Sequence, residues 1–86
     1  MNVRDLVLNI AINLNRISKF VMEGNEKRVN FFVNENKNYI KEVDKLELSS
    51  KFEKTFRLFK EKLPELKDPE DFLTWANILT HRAKLA

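Results

Sequence analysis

Hydrophobic residues recur along this chain at the three- and four-residue steps of an α-helix, in four stretches divided by turn signals. In the first, Val3, Val7, Ile10, Leu14, Ile17 and Val21 fall on one stripe, widened by Leu6, while Asn2, Asp5, Asn9, Asn13 and Arg16 form a narrow polar strip opposite. In the second, Val29, Phe32, Val33, Tyr39, Ile40 and Val43 share a face. Phe52, Phe56, Phe59 and Leu63 do so in the third, and Phe72, Ala76, Leu79 and Ala83, widened by Trp75, in the fourth. The spacing predicts helices over residues 2–22, 26–46, 51–62 and 69–84.

The residues between the stripes agree with those bounds. Gly24 is the one glycine in the chain and takes the left-handed turn that ends a helix without steric cost; Asn25 after it is a preferred N-cap. Ser50-Lys51-Phe52-Glu53 has the form of a capping box, and Pro64 closes the helix that it opens. Asp68-Pro69-Glu70-Asp71 is a second start signal, with an acid to cap, proline at the first helical position and two further acids at the positive end of the helix dipole.

So short a link between the first two helices makes them antiparallel neighbours, each about 30 Å long. The later links are also short enough to favour antiparallel packing. The expected fold is an all-α, antiparallel, up-down four-helix bundle, a long helical hairpin packed on a shorter one, in a single domain over residues 1–86. A short hairpin leaves the ends of a long one uncovered unless a second copy supplies the missing surface.

Four positions break the pattern. Leu8 and Ile12 lie one turn apart and point away from the main stripe of helix 1, next to Asn15 and Lys19. Phe31 lies on the outer face of helix 2, between Lys27, Asn34 and Asn38. These three are the candidate interface of a homodimer. Asn36 does the reverse, falling inside the apolar stripe of helix 2, where an unpaired amide would cost about 1–3 kcal/mol. It is a candidate register residue, since a buried amide in an apolar seam fixes alignment and oligomeric state.

Composition narrows the chemistry. With no cysteine among 86 residues, the fold rests on packing alone and a cytoplasmic setting is expected. Leu6 to Leu14 is the most apolar segment, but Asn9 and Asn13 interrupt it and it is too short to span a membrane. Neither a secretory signal nor a membrane partner is expected. Sixteen bases against thirteen acids give a net charge of +3, a mixed surface and not a basic one.

No nucleophile–base pair, metal-ligand cluster or phosphate-cradling loop is evident, so neither an enzyme nor a cofactor is expected. His81, the single histidine, lies on the polar strip of helix 4 without an orienting acid or further metal ligands nearby in sequence. Asp68, Glu70 and Asp71 lack the spacing of a calcium loop and suit a helix start. The expectation is a small protein that acts by binding protein, itself first and another chain second. The alternative is a weak nucleic-acid binder, using Lys51, Lys54 and Arg57 on the face of helix 3 away from the phenylalanines to track a phosphate backbone.

Overall fold

The computed structural model describes all residues from Met1 to Ala86 and folds them into four α-helices without a strand: α1 (Val3–Met22), α2 (Glu26–Asp44), α3 (Ser50–Lys62) and α4 (Pro69–Arg82). Two single 3₁₀ turns, Leu63–Glu65 and Ala83–Leu85, close α3 and α4. The helices begin where side chains can satisfy free backbone donors. The Asn2 carboxamide oxygen accepts from the Asp5 amide at 2.8 Å, and Asn25 accepts from Arg28 at 3.2 Å.

The α1–α2 turn is a Schellman motif. The Asn25 amide donates to the Phe20 carbonyl at 2.9 Å and the Gly24 amide to Val21 at 3.1 Å, with Gly24 at φ +69°. Two caps differ from the sequence expectation. The cap of α3 is Ser49 and not Ser50, because its hydroxyl oxygen accepts from the Phe52 amide while the same hydroxyl donates to the Leu85 carbonyl at 2.6 Å. One side chain thereby caps a helix and ties it to the end of the chain. Asp68 stands at the cap position of α4 but makes no side-chain cap bond, and its backbone carbonyl takes the Asp71 and Phe72 amides.

Helix α1 is the centre of the fold, with α2 along one side and α4 along the other. Asn13 meets Asn36 and Phe20 meets Phe32, so α1 and α2 run antiparallel. The Ser18 hydroxyl donates to the Pro69 carbonyl at 2.9 Å, joining the later half of α1 to the start of α4. Helix α3 lies against α4, Phe59 tilting on Trp75 with ring centroids 5.6 Å apart. Phe52, Phe56 and Phe59 are fully buried with Val7, Ile10, Leu14, Ile17, Val43 and Leu79 in one core.

Helix α2 packs its backbone on a single neighbour. Its backbone comes within 8 Å of α1 alone, and it reaches the α3–α4 hairpin only through side chains, as where Lys60 meets Asp44 at 2.7 Å. Val43 is fully buried, whereas Val29 and Val33 in the earlier half of the helix are only half-buried. The bundle is closed at the C-terminal end of α2 and parted at the other, which is the end that a shorter hairpin leaves uncovered.

Candidate functional site

Asn36 is 3% exposed and Asn13 is 1% exposed, so the second departs from the expectation that it belongs to the polar strip of α1. The strip is interrupted because α2 packs over it. The Asn13 amide donates to the Asn36 carboxamide oxygen at 3.0 Å and, at 3.4 Å, to Glu35. Asn36 in turn donates to the Ile10 carbonyl at 3.3 Å. Both amides are satisfied inside the chain, and no buried side-chain polar atom lacks a partner. The register they define is that of α1 against α2, since sliding either helix by one residue would strand both amides.

The pair also fixes a third residue. Arg16 donates to the Asn13 carboxamide oxygen at 3.1 Å, and its guanidinium carbon lies 5.3 Å from the centroid of the Phe32 ring. Tyr39 belongs to the same neighbourhood. Burial and the adjacent Glu35 carboxylate raise its hydroxyl above the ordinary value of 10.0, with Arg16 acting in the opposite direction.

From Arg16 the contacts pass to the surface. Phe32 stacks parallel on Phe20 at 5.8 Å, and Phe31 meets Phe32 edge to face at 5.1 Å and 87°. Lys19 and Arg28 approach the Phe20 ring to 5.6 and 5.4 Å. Three aromatic rings and three cations thus converge where α1 and α2 pack together. Phe31 is the outermost member at 61% exposed, against 45% for Leu58 and 41% for Leu73, which stand on α3 and α4. Phe20 is the least legible member of this group in the sequence; its signal is the Arg16–Phe20 step of one turn on the side of α1 that carries Asn13.

The two remaining members of the candidate dimer interface differ from each other. Leu8 is half-buried and packs against the core, while Ile12 is 47% exposed. Ile12 stands eight residues before Phe20 in α1, about 12 Å along the helix from the level of the aromatic group. The structure does not bring Leu8 to the aromatic group.

On α3, Lys51, Lys54 and Arg57 are all exposed. Arg57 is paired with Glu53 at 2.9 Å, which offsets its charge. Lys51 and Lys54 line a shallow depression with Arg82 from α4, a cation the α3 pattern did not include. His81 is exposed, and no group of three or more His, Cys, Asp or Glu side chains is arranged to hold a metal ion. No helix is long and apolar enough to cross a membrane.

The chain matches no protein-family model, no curated protein and no solved structure. What it does must be read from its own surfaces. Of these, the aromatic group on the α1–α2 hairpin combines exposure with rigid support: its outer ring rests on a second ring, which stacks on a third and is capped by an arginine held from the core.

Proposed function

We propose that the chain acts by binding protein, itself first, through the outer side of the α1–α2 hairpin. Phe31 is the anchor of that contact, Ile12 its second apolar element and Leu8 an edge contribution. The observation that carries the reading is Phe31, 61% exposed yet fixed edge-on against Phe32. Aromatic and arginine side chains are enriched at protein interfaces, and a ring braced against a second ring loses less freedom on binding than an unsupported one. With roughly 200 Å² of surface, a ring exposed to this degree offers about 120 Å², or about 3 kcal/mol at 25 cal/mol per Å² before association costs. The reading calls for no catalytic step and no cofactor, and the cysteine-free composition supports a cytoplasmic setting.

Light-scattering mass tests it. The wild type should be dimeric at micromolar concentration, and Phe31→Asp with Ile12→Asp should be monomeric and equally helical. A monomeric wild type, or a double variant that stays dimeric, would refute it.

A second reading, weak binding of nucleic acid, is favoured by one observation: Arg82 joins Lys51 and Lys54 on one face. It requires affinity that falls steeply with salt and with Lys54→Glu. An affinity unchanged by both would remove it.

A further inference from the structure

The parted end of the bundle forms a groove of about 630 Å³ between the α1–α2 hairpin and the segment that leads from α3 into α4. Val21, Val29 and Val33 line one side, and Leu63, Leu66 and Phe72 the other. Each side adds one lysine, Lys37 from α2 and Lys67 from the segment before α4, and no acid lines the groove. Neither lysine takes part in any of the four ion pairs of the protein. Volumes of about 300–1,000 Å³, apolar walls and a few convergent charges describe sites for small molecules, and the spaces between bundle helices are among their usual places.

From these observations we propose that the groove binds a long-chain carboxylate, its alkyl chain against the valines and leucines and its carboxylate at the lysines. The register of α2 suits that occupant. Val29, Val33 and Lys37 follow one another at four-residue steps, so a single side of the helix offers about 12 Å of surface that is apolar first and cationic last. The walls supply the burial that an alkyl chain gains on leaving water, and the unpaired lysines distinguish an anionic head from a neutral or cationic one. A wholly apolar occupant would leave both lysines unused, and an amphiphile with a cationic head would be repelled by them.

Dodecanoate, below its micellar threshold, is the probe. Titrations followed by calorimetry and by amide chemical shifts should show one site, with the largest shifts at Val29, Val33, Leu63 and Leu66. Lys37→Glu with Lys67→Glu alters two exposed side chains, leaves the core intact, and should weaken dodecanoate about tenfold, since exposed charge pairs are individually weak. The same variant should bind dodecyltrimethylammonium more tightly than the wild type does. Val33→Gln should weaken both amphiphiles, since it makes one wall polar. The proposal is overturned if dodecyltrimethylammonium binds the wild type as well as dodecanoate, if the lysine variant keeps the wild-type affinity, or if the shifts centre on Phe31. A dimer that dissociates on Val33→Gln would assign the groove to a second copy of the chain and also overturn it.

Discussion

Replacing Asn36 by alanine removes the two hydrogen bonds that lock α1 against α2, one accepted from Asn13 at 3.0 Å and one donated to the Ile10 carbonyl at 3.3 Å. At a net contribution of about 1 kcal/mol per bond, the loss is about 2 kcal/mol. The Asn13 amide then keeps only the longer bond to Glu35 in a site that is 1% exposed, and its desolvation adds to that loss. An 86-residue domain has a few to about ten kcal/mol of stability in all, so the effect is a large share of the total. At 4–8 °C per kcal/mol the melting temperature should fall by about 10 °C. Urea unfolding followed by circular dichroism gives the free energy directly, and Asn13→Ala with the double variant completes a cycle. The two changes should be less than additive by about 1 kcal/mol, because either one breaks the shared bond. An Asn36→Ala destabilisation below about 0.5 kcal/mol, within the range of an ordinary surface change, would refute the buried pair as a determinant of register.

Three further outcomes follow from individual residues. Gly24→Ala should destabilise by about 1–2 kcal/mol in thermal unfolding, and by backbone strain alone, since φ is +69° and an added Cβ meets nothing within 4 Å. Tyr39 is the only tyrosine, so absorbance near 295 nm should show a phenol that ionises above the ordinary range. Its folded value is raised, so the stability it contributes is present below the unfolded value of about 10 and is lost as pH rises through the folded one. Wild-type stability should therefore decline more steeply than that of Tyr39→Phe in alkaline urea titrations. Ser18→Ala removes the donor to the Pro69 carbonyl and should lower the urea midpoint through a loss of about 1 kcal/mol.

Much of the architecture is legible in the sequence because local and periodic signals coincide. Gly24 and Asn25 end one helix and start the next as their chemistry requires, and the phenylalanine row of α3 enters the core as its spacing predicts. The failures have tertiary causes. Adjacent serines compete to cap α3, and Ser49 prevails where its hydroxyl can also reach Leu85, a partner 36 residues away. Asn13 reads as a solvated residue because a helical wheel assigns polar groups outward, while its true partner is another asparagine on α2. Leu8 reads as stray because the wheel contains one apolar stripe, whereas α1 is flanked by two helices and its buried arc is wider.

The candidate surfaces show the same division. The exposure of Phe31 follows from periodicity alone, since every neighbour on its face is polar. The stack beneath it requires the pairing of Phe20 with Phe32 across two helices, which no spacing within either helix contains. The groove is less legible still. Its walls come from three separate segments, residues 21, 29–37 and 63–72, which no spacing within one helix brings together.

The most direct test of self-association through the α1–α2 hairpin is isotope-filtered NMR on an equal mixture of carbon-13-labelled and unlabelled protein. Intermolecular contacts should connect the Phe31 ring and the Ile12 methyl groups of one copy with the same hairpin of the other. A spectrum without such contacts at a concentration where the mass is that of a monomer, or contacts confined to Leu58 on α3 and Leu73 on α4, would contradict it.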